Sequence, residues 1–381
     1  MLTAGKAPAD AIGTLPSKLP ETARVYLKPV ALLQGETATA AVESGQAFPL
    51  AGGPLAFAGY GVAIRVDGQI RRSIAAVAEI DDWTRRASEP VAKRIRTLFD
   101  RLTRRRPDAL ARPSLMGIVN VTPDSFSDAG EHLNPEAAIS HALTLARAGA
   151  DILDIGGEST RPGAEPTAVE TELRRVMPVL QGLARARSEW PGLLLSIDTR
   201  HSAVMRQAIE LGVDIINDVS ALSDDPDSLG VAAASDARVV LTHKQGQPSG
   251  MNVAPQYDDV VLDVFDHLEA RIEACAAAGI DRSRLIVDPG IGFGKRTREN
   301  LAVLGSLSLY HGFGCPLLLG ISRKALIGGE QKRLAPKDRL PGSLAAAMHA
   351  FDRGVQLLRV HDVAETRQVV DLWSRINLPD G

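Results

Sequence analysis

The chain has 381 residues, 45% of them apolar and 23% charged, with a formal net charge of -3 and two cysteines, Cys275 and Cys315. That composition excludes wholesale disorder, a disulfide framework and a Cys-rich zinc site, and it makes no general case for nucleic-acid binding. The opening residues lack the apolar run of a secretory signal, and no stretch of about 18 apolar residues occurs, so a soluble cytoplasmic protein is expected.

Residues 1–22 mix Ala, Pro, Gly and Lys without period and read as a flexible tail. Residues 23–112 read as a small α+β extension. Its signals are β-like runs at Arg24–Leu33 and Tyr60–Val66, a turn at Asp67-Gly68, and a helix over 90–106 with Val91, Ile95, Leu98, Phe99 and Leu102 at helical spacing. Lys93 to Arg112 holds eight basic and two acidic residues. A solvated helix face is the expectation there, with an anionic partner the competing reading. Ala111-Arg112-Pro113 reads as a linker.

From residue 113 to 381 the pattern is regular. Apolar runs at Leu115–Val121, Asp151–Gly157, Leu193–Thr199, Ile215–Ala221, Val239–His243, Leu285–Gly290, Pro316–Ser322 and Leu357–Asp362 alternate with helical stretches. Asn134-Pro135 predicts an N-cap, and Thr167–Glu170 and Asp362–Glu365 predict capping boxes. The last helix is expected to bury Val363, Thr366, Val370, Trp373 and Ile376. Eight β/α alternations at this length predict a (β/α)8 TIM barrel, with an open doubly wound sheet as the alternative.

Function in such a barrel sits at the C-terminal strand ends. Those ends carry Asn120, Asp154 with Glu158, Asp198, Asn217-Asp218, His243, Asp288, Ser322-Arg323-Lys324 and Arg359-Val360-His361-Asp362. A single Asp or Asn there could be a helix cap. Eight polar strand ends together point to a convergent polar ligand, because buried carboxylates and amides need partners. Asp198, Asn217 and Asp288 suit a flat amino-oxo heterocycle, while Lys324, Arg359 and His361 suit an anionic group. Two loops, Asn120–Asp128 and Glu158–Gly163, read as lids over that ligand. The run Gly290-Ile-Gly-Phe-Gly-Lys295 fits neither the phosphate-loop nor the dinucleotide pattern. His132, His141, His201, His267, His311 and His349 are expected on the surface or on helices. His243 could line the mouth or be packed and hydrogen-bonded, and both cysteines are expected to be buried fillers.

These residues also carry a resemblance. Met116–Asp128, Asp154–Gly163, Ser196–Arg200, Ile216–Asp218, Asp288–Lys295, Ser322–Lys324 and Arg359–Asp362 resemble dihydropteroate synthase in sequence and order over about residues 114–376. The resemblance implies a transferase of folate biosynthesis that condenses 7,8-dihydropterin-6-ylmethyl diphosphate with 4-aminobenzoate, by an SN1-like route. It implies a pterin site at Asp198, Asn217, Asp288 and Lys324. It places diphosphate at Asn120, Thr160, Arg161, Arg359 and His361, with Mg²⁺ on Asn120. It places 4-aminobenzoate at Phe126, Pro162, Ser322 and Lys324, and it makes Asp128, Arg161, Lys324, Arg359 and His361 the catalytic set. Sulfonamides as competing ligands and a homodimer are further implications. Thr242-His243-Lys244 and Ile291 depart from the family pattern. A pterin- or folate-binding methyltransferase and a non-catalytic pterin-binding paralogue are the alternatives.

Overall fold

A computed structural model describes residues 12–13, 16, 19–107, 113–122, 127–128, 132–159, 165–246, 255–329 and 334–378. Most of the tail, the linker before Pro113 and parts of both expected lid loops lie outside these residues.

The N-terminal part is an antiparallel sheet of β1 (Arg24–Leu33), β2 (Ala56–Val66) and β3 (Gln69–Ala76), with β2 central. Short strands Phe48–Pro49 and Ile12–Gly13 add to β2 and β3. The β2–β3 hairpin closes over Asp67-Gly68, both with positive φ, as the turn signal predicts. Helices α1 (Gly35–Glu43), α2 (Val77–Arg86) and α3 (Glu89–Thr103) complete it. The last matches the expected basic helix: it buries Val91, Ala92, Ile95, Leu98 and Leu102 against β1 and the turn segment Leu307–Phe313.

Eight parallel strands follow among the described residues; six fall inside the expected runs, and the first and fifth begin one residue earlier, at Ser114 and Arg238. They are β4 (Ser114–Asn120), β5 (Ile152–Gly156), β6 (Leu194–Asp198), β7 (Ile215–Asp218), β8 (Arg238–Thr242), β9 (Leu285–Asp288), β10 (Leu318–Leu319) and β11 (Leu357–Val360). Hydrogen bonding runs in the order β9-β8-β7-β6-β5-β4-β11-β10. A Val287–Leu317 bridge and a 2.9 Å bond from the Val287 N–H to the Pro316 carbonyl join the two ends, so the sheet closes into a barrel rather than staying open. The surrounding helices are α4 (Pro135–Arg147), α5 (Val169–Ala186), α6 (Ser202–Glu210), α7 (Ser228–Ala233), α8 (Val260–Ala277), α9 (Thr297–Leu304), α10 (Leu340–Phe351) and α11 (Val363–Asn377).

Met116, Ile152, Leu194, Ile215, Val240, Ile286, Leu318 and Leu357, one from each strand, pack together as an apolar layer. Strand side chains alternate between the two faces of a sheet, so this layer fixes which positions above it face the lumen.

The two parts share one apolar core, with Tyr26 edge-on to Phe265 at 5.6 Å. Charge supplements it. The acidic stripe Asp259, Asp263, Asp266 and Glu269 on α8 meets Arg72, Arg65, Tyr26 and the trio Arg24, Arg94 and Arg101. Two arginines of the basic helix therefore face the chain's own Glu269, while Arg96 and Arg104 stay exposed beside Glu89 and Asp100.

Several local expectations need correction. Asn134 does cap α4, its side chain accepting from the Ala137 N–H at 2.9 Å. Neither capping box forms. Thr167 lies outside α5, and its N–H is taken by Glu158 at 2.8 Å. The Asp362 carboxylate is drawn away from α11 by Arg323. On α11 it is Asn377 that turns inward, leaving Ile376 exposed. His311, expected on the surface or a helix, does lie on a helix, the 3-10 segment Leu307–Phe313, but is fully buried there, 2.8 Å from the Arg353 carbonyl. Cys275 and Cys315 are buried free thiols, as expected.

Candidate active site

Counting two residues onward from the apolar layer gives the next lumen-facing ring: Ile118, Asp154, Ser196, Asn217, Thr242, Asp288, Gly320 and Arg359. Register supports the count, since Ser196 pairs with Asp154, Thr242 with Asp288, and Arg359 with the layer residue Met116. Two residues higher come Asn120, Gly156, Asp198, Ser322 and His361. The expected site residues that the structure describes fall in these two rings, apart from Lys324 and Asp128.

The lower ring is hydrogen-bonded to itself. Asp154, fully buried, accepts from Ser196 Oγ at 2.6 Å, Asn217 Nδ2 at 3.0 Å and Arg359 Nε at 2.6 Å. Arg359 then reaches up with Nη2 to Asp198 Oδ2 at 2.6 Å. Burial works against the Arg359 charge, but Asp154 and Asp198 outweigh it and raise its pKa. Burial pushes the Asp198 carboxyl upward; Arg359 opposes that and Asp154 adds to it. Asp198 is thus a carboxylate short of hydrogen-bond donors.

Asp288 and Lys324 form the other wall. Asp288 Oδ1 accepts from the Gly290 N–H at 2.7 Å, and burial raises this carboxyl against the pull of Lys324. The Lys324 ammonium donates to the Ile291 carbonyl and lies 4.6 Å from the centre of the Phe293 ring. Burial brings its pKa down to about 8, with Asp288 opposing. Gly320 sits between these groups. A Cβ there would stand 3.8 Å from Asp288 Oδ2 and 3.9 Å from both Lys324 Nζ and Arg359 Cβ. The missing side chain leaves room for a ligand edge to reach a carboxylate and an ammonium together, beside the base of the Arg359 side chain.

Higher in the mouth, His361 Nδ1 is 3.1 Å from Ser322 Oγ, which also accepts from the His361 N–H at 3.2 Å. Asn120, half-buried, ends β4 opposite Gly156. Phe126, Thr160, Arg161 and Pro162 lie outside the described residues, as does the Asp128 side chain, whose backbone pairs with His132.

Other strand-end residues turn out to be structural. Asp218 faces away from the lumen and caps its own turn, accepting from the Ser220 and Leu222 N–H groups at 2.7 and 3.0 Å. Glu158 is forked by Arg200 at 2.9 and 3.0 Å. Burial would raise its carboxyl, but the Arg200 fork and the Thr167 N–H hold it below its ordinary value. His243 takes the packed alternative, with Nδ1 2.8 Å from the buried Lys295 ammonium. Lys295 itself donates to the Gly290 carbonyl at 2.8 Å and the Phe293 carbonyl at 3.2 Å, so this lysine holds the loop rather than a phosphate. The sequence marks Asp154 as a polar strand end but not as the central acceptor, and it gives Ser196 and Gly320 no role in the site. The signal that finds them is alternation counted from the apolar layer.

A family described as "Pterin binding enzyme" matches residues 116–361. The dihydropteroate synthase of Escherichia coli strain K12 is 46% identical over 257 residues, 68% of this chain and 89% of that enzyme. The Xanthomonas albilineans dihydropteroate synthase, solved with 4-aminobenzoic acid, is 49% identical with a TM-score of 0.65, over 70% of this chain and 94% of that one. The Yersinia pestis enzyme, solved as a sulfonamide drug complex, is 43% identical with a TM-score of 0.65, over 70% and 95%. Together with the polar rings of the barrel mouth, these matches show that the chain belongs to the pterin-binding enzyme family and, within it, to the dihydropteroate synthases.

Proposed function

We propose that the barrel mouth condenses 7,8-dihydropterin-6-ylmethyl diphosphate with 4-aminobenzoate, giving 7,8-dihydropteroate and diphosphate. The observation that carries this reading is the walled space at Gly320, where the Asp288 carboxylate and the Lys324 ammonium come within about 4 Å of one point, beside the Arg359 Cβ. Asp198, half-buried, and Asp288, buried, are carboxylates whose raised pKa values favour a ligand that donates N–H groups, and a pterin's amino-pyrimidinone edge does so. Asn217, fixed by Asp154, offers its amide to the same heterocycle, and Lys324 faces the oxo side.

The diphosphate is assigned to Asn120, Thr160, Arg161, Arg359 and His361, and the aminobenzoate to Phe126, Pro162, Ser322 and Lys324. The Ser322–His361 contact supports placing those two substrates side by side. The methylene C–O bond breaks first and its electron pair leaves with diphosphate. The arylamine lone pair then forms the C–N bond, and its proton passes to solvent. Asp128 is assigned to the cationic centre, and the cations around the mouth stabilise charge on the leaving group. An aniline nitrogen needs no strong base to attack a carbocation, which fits a mouth whose described histidine, His361, is held by Ser322.

Mg²⁺ fits this site as an ion held chiefly by diphosphate. Among the described residues no cluster of three or more His, Cys, Asp or Glu could hold a metal, and magnesium commonly keeps water and phosphate ligands. Asn120 would supply one amide oxygen, and the bound ion would neutralise diphosphate charge.

The division into a tail (1–22), an α+β extension (23–112) and the pterin-binding barrel (113–381) is likewise our proposal. So is a homodimer, supported by exposed Leu301, Met348, Leu372 and Ile376 on the successive helices α9, α10 and α11. A cytoplasmic enzyme accords with the absence, among the described residues, of a helix long and apolar enough to cross a membrane. Sulfonamides are proposed to compete for the aminobenzoate position. Incubation with the pterin diphosphate, Mg²⁺ and 4-aminobenzoate should release diphosphate and form dihydropteroate. No release above background would overturn the proposal, as would full activity in Lys324→Ala or Asp288→Ala.

A further inference from the structure

The N-terminal sheet touches more than the flank of the barrel. Arg72 on β3 pairs with Asp259, whose other oxygen caps α8 by accepting from the Val261 and Leu262 N–H groups at 3.1 Å each. Arg65 on β2 forks Asp263 at 2.5 Å and Asp266 at 2.6 Å. The second oxygen of Asp263 accepts from the Asp258 and Asp259 N–H groups at 2.9 and 3.1 Å. These two arginines therefore fix the backbone just before α8, at the mouth end of the barrel.

Tyr257 is the next residue along. Its hydroxyl donates to the Gly294 carbonyl at 2.7 Å. Gln256 is clasped to Gln245 by reciprocal amide bonds of 2.9 and 3.0 Å. Gly294 is pressed against that strip: at its φ of +65° a Cβ would fall 2.3 Å from the Gln245 carbonyl. The loop so held, residues 290–295, carries the Ile291 carbonyl and the Phe293 ring that receive Lys324, and the Gly290 N–H bound to Asp288.

We infer that Arg65 and Arg72 are positioning residues for the pterin side of the site, acting through Asp263 and Asp259 on Tyr257 and through Tyr257 on the loop that seats Lys324. The inference rests on the pterin reading given above. It assigns a role to residues 23–112 that the family's barrel does not contain. The Arg65 and Arg72 ion pairs, the Asp259 N–H bond to Asp263 and the Tyr257 hydroxyl bond join partly buried groups, while the Asp258 N–H bond and the Gln245–Gln256 clasp are exposed; together they form one continuous run of contacts from Arg65 to Gly294. The same interface holds an internal control. Arg94 also pairs with α8, but at Glu269, further from the mouth than any partner of Arg65 or Arg72: nearly three turns beyond Asp259, under two beyond Asp263 and under one beyond Asp266.

The test compares the full-length protein with Arg65→Met/Arg72→Met, Tyr257→Phe, the triple variant and Arg94→Met. Calorimetry reads binding of the pterin diphosphate, and hydrogen exchange reads the amides of 290–296 without ligand. Arg65→Met/Arg72→Met and Tyr257→Phe should each weaken pterin binding about fivefold and speed exchange in the loop. The triple variant should be no weaker than the double, because all three act on one chain of contacts. Arg94→Met should lower the melting temperature alone. The inference is overturned if the double variant behaves like Arg94→Met, or if the triple variant's losses multiply. Tyr257→Phe removes a single hydroxyl and keeps the comparison valid should the arginine variants fold poorly. Wild-type protein that binds no pterin would refute the pterin reading, whereas unchanged exchange in the double variant would refute the positioning role by itself.

Discussion

Asp154→Asn separates charge from shape at the centre of the site. Asp154 accepts from three groups: Ser196 Oγ, Asn217 Nδ2 and Arg359 Nε. An asparagine can keep its oxygen toward Asn217 and Arg359 and donate its amide to Ser196, whose hydroxyl can turn from donor to acceptor. The geometry then survives and only the charge is lost. A charge-assisted hydrogen bond is roughly twice as strong as a neutral one, so weakening the Arg359 contact should cost about 1–2 kcal/mol. Arg359 keeps Asp198, which prevents the larger cost of an orphaned buried charge. Asp154→Ala has no such rescue: it unpairs Ser196, Asn217 and Nε of Arg359 together and should cost about 3–5 kcal/mol.

Removing the Asp154 charge also removes one of the groups that raise Asp198 and leaves Arg359 more fully on that carboxylate. Because Asp198 is raised in the folded protein, its stabilising contribution is complete below the unfolded carboxylate pKa and is lost as pH climbs through the folded value. In Asp154→Asn that loss should finish at a lower pH. Urea denaturation across pH, with pterin calorimetry on the same samples, measures both effects. Equal costs for Asn and Ala, or no cost in either, would refute the role given to Asp154.

Gly320→Ala should fold normally, since its methyl meets neighbours at ordinary contact distance, but bind pterin diphosphate at least about tenfold more weakly. Unchanged binding in calorimetry would remove the ligand from that space. Pterin affinity should fall on both sides of neutrality: at acid pH as Asp198 and Asp288 take up protons, and above about 8 as Lys324 loses one. A flat affinity profile across that range would count against the pocket. Glu269→Ala strips the shared partner from Arg24, Arg94 and Arg101 and should destabilise the protein by about 3 kcal/mol, read as a urea midpoint, with kcat unchanged. A lowered kcat would mean that the far end of α8 also reaches the site.

Much of this architecture is legible in the residues. A barrel strand must be apolar on both faces until it emerges at the mouth, so the eight runs and their polar ends stand out, and Asn134-Pro135 marks a helix start by local chemistry alone. What local chemistry hides is competition from afar. Asp362 looks like a cap, but Arg323, 39 residues away, takes its carboxylate. Asp218 and Asn217 are neighbours at one strand end, and only parity relative to the buried layer says which one faces the lumen. The basic helix is ambiguous for the same reason, because its anionic partner, Glu269, lies on an element some 170 residues later.

The barrel's closure has a consequence for ligand binding. Seven of its eight seams are ladders of paired strands, whereas the eighth, between β9 and β10, is a single bridge at Val287–Leu317. Asp288 follows one flank of that seam directly, and Gly320 and Lys324 follow the other. A pterin held by both flanks would act as the missing rung of this ladder. The empty enzyme should therefore breathe there first, and occupancy should tighten the whole cylinder by closing its weakest stave.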